Sequence, residues 1–331
     1  MKKNKIIMLP LLTAGIFLSG CTNSTPTTTE TVTTAATTVT AESTAVESTV
    51  AETTAAQAPI AFEQITPETE KLTLGEMQIY DFNTMKVYAY QANDGLGDET
   101  ILIENGESMI AIDPPAFTEQ LNELLSYIEG KEKKVTDIIL AYHPFGSAFF
   151  EGATVYSSAA IKDATAESGM GAGFAAAFGD SFAVDVAKAD AVLTEGEITI
   201  GGIDMVIYPT ADGCDIAVPV LNAIFVHMNG ANTHSILGSL NNIDDLIVKL
   251  QAYETVGYDY VFTSHDKVET SEALTVKIQY LKETKEIAVS SANADAFAAA
   301  MNEAFPDYNG DNYLGMTTEA LFPAGDDTVT Q

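Results

Sequence analysis

The sequence predicts an α/β layered sandwich, on three observations. Strands come first, as hairpins. Strands and helices then interleave. Several short apolar runs have no polar alternation, as strands buried on both faces do. Ile101–Asp113 reads ILIE-NG-ESMIAID, two β-rich runs around Asn105-Gly106, the strongest short hairpin signal. Ile198–Tyr208 repeats the device around Gly201-Gly202.

The remaining elements follow in chain order. VYAYQA, DIILAY, DIAVPV, AIFVHM and DYVFTS read as further strands. Phe117–Gly130 places Leu121, Leu124, Leu125 and Ile128 on one helical face and stops at a glycine. Asn242–Gly257 has the same design. Ser271–Val289 and Ala292–Pro306 predict two more helices. The stretch Gly169-Met170-Gly171-Ala172-Gly173 lacks the spacing and preceding strand of a dinucleotide fingerprint, and reads as a mobile loop that could serve as a lid.

Composition removes whole classes of function. The 331 residues include 47 Asp+Glu against 15 Lys+Arg, a formal net charge of −32. All 15 cations are Lys, so the chain has no guanidinium to clamp phosphate or carboxylate. Such an acidic surface repels nucleic acid, and none is expected as a partner. Two Cys cannot form a disulfide framework.

The amino terminus reads as a targeting signal. Lys2, Lys3 and Lys5 precede an apolar stretch from Ile6 to Leu18, shorter than the roughly 20 residues of a membrane span. It ends Leu18-Ser19-Gly20-Cys21, which resembles the lipobox of bacterial lipoproteins. That resemblance implies a signal peptide over 1–20, cleavage before Cys21 and a lipid on its sulfur. The protein would then sit outside the cytoplasm, anchored to the membrane through Cys21. Residues 22–58 hold 15 Thr, 4 Glu and no aromatic residue. They cannot bury enough surface to offset their ordering entropy, and read as a disordered tether with a reach of about 33 Å. Thr density invites O-glycosylation, and a long tether suits the cell surface of a Gram-positive host. The folded part divides into a main domain over 59–290 and a helical extension with a tail over 291–331.

The chain has four His: His143, His227, His234 and His265. His143 follows DIILAY, His227 lies in AIFVHM and His265 follows YVFTS. Strand ends are where layered α/β folds place their sites.

Element order and framework residues now resemble the metallo-β-lactamase fold superfamily. The resemblance runs through MIAIDPP, AYHPFGSAFFEG, EITIGGIDMVIYPT, DIAVPVLNAIFVHMNG and TSHDKVET, about residues 77–323. It implies a four-layer αβ/βα sandwich with a C-terminal helical extension. It also implies where ligands belong. His143 matches the first His of the superfamily's His-x-His-x-Asp-His, but Phe145, Ser147 and Ala148 stand at the other three positions. The next ligand falls near Asp212. The metal-bridging Asp falls near Met228 or Asn229. His265 matches the final His, and His234 a His seen in some members. Asp113 matches a buried Asp supporting the metal shell; taken alone, it is a turn residue.

Phe and Ala cannot coordinate, which argues against a dinuclear centre. One zinc or other divalent metal remains an alternative, held by His143, Asp212 and His265, with His227 able to join them. Cys214, flanked by Asp212 and Asp215, has no reason for a depressed pKa. Ser147 lies near His143, but no Gly-x-Ser-x-Gly elbow is present. The leading expectation is a lipoprotein whose hydrolase-like domain has lost most of its metal ligands. It would be a non-catalytic module binding an unknown small-molecule or surface ligand, with no cofactor. The remnant pocket would be lined by Asp113, His143, Asp212, His227, His234 and His265. The alternatives are a hydrolase with a single metal or none, and a plain adhesin with no cleft function.

Overall fold

A computed structural model describes residues 65–163, 169–183, 189–323 and 329–331. The expected signal peptide, the lipidation site Cys21 and the Thr-rich tether lie outside the described residues.

Two sheets face each other. The first contains eight strands in chain order: β1 (Glu68–Lys71), β2 (Gly75–Asp81), β3 (Lys86–Ala92), β4 (Glu99–Asn105), β5 (Ser108–Ile112), β6 (Lys134–Leu140), β7 (Thr154–Ser157) and β8 (Ala191–Val192). β1 to β5 pair antiparallel, and β5 to β8 parallel. The second sheet runs β13 (Tyr260–Phe262), β12 (Ala223–Phe225), β11 (Cys214–Val218), β10 (Ile203–Pro209), β9 (Gly196–Ile200). Only its β12–β13 pair is parallel. Both expected hairpins form: Asn105 pairs Ser108, and Ile200 pairs Ile203.

The period of two along each strand sorts side chains between layers. On β4, Ile101 and Ile103 join the core between the sheets, while Leu102 faces the other way. On β11, Ile216 and Val218 point to that same core and Ala217 to the opposite face. The outer face of the first sheet is covered by α1 (Thr118–Gly130) through Leu121, Leu124 and Ile128. The outer face of the second is covered by α3 (Leu240–Val256), α4 (Glu272–Ser290), α5 (Ala294–Ala304) and α6 (Asp311–Leu321), through residues such as Leu250, Leu281, Phe297 and Leu321. The result is a helix–sheet–sheet–helix sandwich. Ser239 Oγ caps α3 by accepting from Asn242 N at 3.1 Å, and Gly257 ends it at φ 80°.

The glycine-rich stretch departs from its expected form. It opens α2 (Gly169–Phe178). Ala175, Ala176 and Ala177 are the best helix formers available and outweigh the glycines. Phe174 and Phe178, four apart on one face, pack against Phe117, Phe145 and Phe182. No helix among the described residues is long and apolar enough to cross a membrane.

Candidate metal centre

Three histidines come together from three strand ends. His143 lies just past β6 of the first sheet, and His227 and His265 just past β12 and β13 of the second. β12 and β13 run parallel, so their carboxyl ends open on the same edge. His143 is buried, and His227 and His265 are partly buried.

The turn carrying His143 is built around Asp113. This residue is fully buried, with φ 47°. Its Oδ1 accepts from the backbone N–H groups of Ala141 (2.7 Å), Tyr142 (3.2 Å) and His143 (3.2 Å). Burial raises the Asp113 pKa, opposed by His143 and these donors. The carboxylate therefore shapes the loop and stands behind it.

His227 Nε2 lies 3.1 Å from His143 Nε2 and 3.2 Å from His265 Nε2. All three ligand atoms lie within 4.8 Å of one another. On the far side of its ring, His265 Nδ1 donates to Leu96 O at 3.2 Å, and Asp98 Oδ1 stands 3.4 Å away. Burial raises the Asp98 pKa to about 6, against the pull of His265. His143 Nδ1 finds no hydrogen-bond partner among the described residues. Burial lowers the pKa of all three histidines, most strongly at His227, where His143 and His265 add repulsion. Their neutral forms are favoured, as metal ligation requires.

An imidazole nitrogen holds either one proton or one lone pair. His227 Nε2 can thus satisfy one neighbour fully and not both. A cation at the centre removes that conflict. Tetrahedral coordination at 2.0–2.1 Å separates ligand nitrogens by about 3.3 Å, close to the spacings here. The residues present fit one ion.

The other expected pocket residues fall elsewhere. Asp212 is exposed at the tip of the β10–β11 turn, where Thr210 N donates to Gly213 O at 3.0 Å and Gly213 N to Thr210 Oγ1 at 3.0 Å. It is outside the histidine cluster. His234 is buried under the C-terminal extension, its Nδ1 3.1 Å from Tyr280 Oη and its ring beside Tyr308. The bridging position expected near Met228 or Asn229 is displaced. Met228 turns the chain at φ 54°, Asn229 Nδ2 donates to His227 O at 2.6 Å, and His227 itself reaches the cluster. Phe145 is buried among Ala116, Phe117 and Phe182, and Ala148 is exposed. Burial, Asp113 and Asp215 hold the Cys214 thiol well above its ordinary pKa, so it stays protonated. Asp98 and Leu96 were not legible as site residues; an Asp in a glycine-flanked turn carries no distinguishing signal.

The fold is of the metallo-β-lactamase type. A stereoselective inverting sec-alkylsulfatase from Pseudomonas sp. aligns with TM-score 0.54 and 13% identity, over 72% of this chain and 49% of that one. The chain spans about half the length of that sulfatase. A metallo-β-lactamase from Erythrobacter litoralis aligns with TM-score 0.47 and 13% identity, over 65% of this chain and 100% of that one. One from Pontibacter korlensis gives TM-score 0.42 and 16% identity, over 66% and 99%. No protein-family model matches the sequence, and no curated protein matches it.

Proposed function

We propose that the domain is a hydrolase working with a single divalent metal ion, held by the Nε2 atoms of His143, His227 and His265. The observation that carries this reading is the convergence of three single-function nitrogens, with His227 Nε2 caught between two others at 3.1 and 3.2 Å. This replaces the ligand set that included Asp212. A divalent ion held by these three imidazoles would supply Lewis-acid polarisation of a substrate oxygen. The chain's own groups do the rest. Leu96 O holds the His265 tautomer by accepting a hydrogen bond from Nδ1–H, with the Asp98 carboxyl standing beside it at 3.4 Å. Asp113 fixes the His143 turn. Phe145, buried with Phe117 and Phe182, stands where the superfamily's motif places a second imidazole.

Elemental analysis of the tag-free domain after zinc incubation tests the reading. One equivalent is expected in the wild type and none in His143→Ala/His265→Ala. Two equivalents, or none in the wild type, overturn it. A panel of activated neutral esters then tests hydrolysis. A second reading, a non-catalytic binding module, draws on Phe145, Ser147 and Ala148, which remove the motif's carboxylate and two of its imidazoles. A zinc-loaded domain inert on the whole panel favours it.

Lipid attachment at Cys21 is also proposed, on the Leu18-Ser19-Gly20-Cys21 sequence. Cys21→Ala should move the protein from the membrane fraction to the soluble one.

A further inference from the structure

We infer that Tyr142 is a positioning residue for His227, and that the β10–β11 turn has become its seat. This rests on the metal reading, which makes His227 a ligand. Tyr142 precedes His143 in the chain, yet its ring lies flat on the imidazole of His227. The centroids are 4.5 Å apart and the planes 15° from parallel. Two neighbouring residues of one loop thus handle two ligands: His143 offers its own nitrogen, and Tyr142 orients another.

A stacking platform orients a ring only if it is itself immobile. Four observations show how Tyr142 is fixed. Its Oη donates to Asp215 Oδ1 at 2.6 Å and lies 3.2 Å from Thr210 Oγ1. Asp215 is fully buried and is held in turn by Lys249 Nζ at 2.8 Å and Tyr253 Oη at 2.9 Å, both from α3. The carboxylate is therefore paired and hydrogen-bonded, as a buried charge must be. Gly213 makes the space: a Cβ there would stand 2.5 Å from a Tyr142 ring carbon. Ala141 O, on the preceding residue, accepts from Cys214 N at 3.1 Å, tying the loop to the same turn. The segment Thr210–Asp215, where a third metal ligand was expected, clamps the ring that orients His227.

The stack also explains why His227 needs such a device. Among the described residues, no hydrogen bond to His227 Nδ1 holds the far side of its ring, as Leu96 O does for His265. A flat aromatic surface restricts the ring without needing a polar partner.

Imidazole NMR of the metal-free protein and cobalt(II) titration together test this. In the wild type, the stacked Tyr142 ring should shift the His227 carbon-bound protons upfield. Tyr142→Leu should abolish that shift and raise the cobalt Kd about tenfold to a hundredfold, the range for losing an outer partner of a metal-bound His. Tyr142→Phe keeps the ring and should retain the His227 shift and most of the affinity. Should Tyr142→Leu fail to fold, Tyr142→Met fills similar volume and is expected to behave as Tyr142→Leu. The inference is overturned if the folded non-aromatic variant leaves both the His227 signals and the cobalt Kd unchanged. If the wild type binds no cobalt, the metal reading falls on its own. The NMR arm then decides: a His227 shift lost in the non-aromatic variant and kept in Tyr142→Phe sustains the positioning role, and an unchanged one overturns it.

Discussion

His227 and His234 sit close in the chain and meet opposite fates. His227 joins a cluster whose hydrogen-bonding demands do not balance, with three ring nitrogens converging and one of them shared. His234 joins one that closes on itself. Its Nδ1 meets Tyr280 Oη, and Lys277 Nζ donates to Thr233 O and to Ser235 Oγ, the latter at 3.2 Å, and stands 4.7 Å over the Tyr280 ring. Thr317 Oγ1 accepts from Leu237 N at 2.9 Å and donates to Ser235 O at 2.6 Å. Both clusters are polar and largely enclosed, and both depress the pKa of their basic groups. The difference is arithmetic in donors and acceptors. The closed cluster joins α4 and α6 to the loop after His227. The unbalanced one invites a guest.

The contrast breaks most visibly on adding metal. Zinc at about a thousandfold excess over its Kd should stabilise the wild type by roughly 4 kcal/mol. In thermal or denaturant unfolding, His143→Ala/His265→Ala should lose that gain and His234→Ala should keep it. Equal loss in both variants would erase the distinction.

The next effect separates the clusters by pH. Burial lowers the Lys277 pKa from 10.5 to about 7, opposed by Asp266 and Glu269. Between those values the unfolded chain binds the proton and the folded chain does not. Stability should therefore rise from pH 7 to 10.5 and lose that contribution as pH falls through 7. Unfolding free energies of wild type and Lys277→Met across this window should diverge by a few kcal/mol. Parallel profiles would mean that the amine stays charged.

The triad should act in the acid range. Its depressed pKa values mean that metal-free stability holds above pH 6.5 and drops as pH falls below it. The drop should be smaller in His143→Ala/His265→Ala, read by denaturant midpoints at pH 7 and pH 5. The smallest change should be Tyr280→Phe. Removing the hydroxyl beside His234 should cost about 1 kcal/mol, with zinc binding untouched.

The layers were legible because strands such as β4, β5 and β11, whose apolar residues feed two cores, read as unbroken apolar runs or hairpins. α6 falls in the helical extension expected over 291–331, but its own bounds were not legible, because Gly315, Thr317 and Thr318 dilute its apolar stripe. At the site, His143 and His265 were legible as polar residues just past apolar runs. Asp212 was misread because a hairpin turn of four residues throws its tip into solvent, whatever ligand another chain carries there. His227 was legible in the same way, but the bridging position was placed one or two residues beyond it, at Met228 or Asn229, where the left-handed turn at Met228 ends the inward-facing segment. A one-dimensional spacing does not reveal a backbone reversal at a non-glycine residue.

Gly213 has a consequence for how this sequence can drift. A methyl group there would meet not only the Tyr142 ring but also the Ala141 carbonyl oxygen, at 2.4 Å. Position 213 is thus constrained twice, and position 142 depends on it once. Tyr142 can be exchanged while Gly213 stays. Gly213 can be exchanged only if both the ring and the strand-end backbone shift. The order of change is one-way: a lineage that loses the aromatic ring can recover it, but one that fills position 213 closes the seat. Among divergent copies of this chain, an aromatic residue at 142 should occur only with Gly at 213, while Gly at 213 should tolerate other residues at 142.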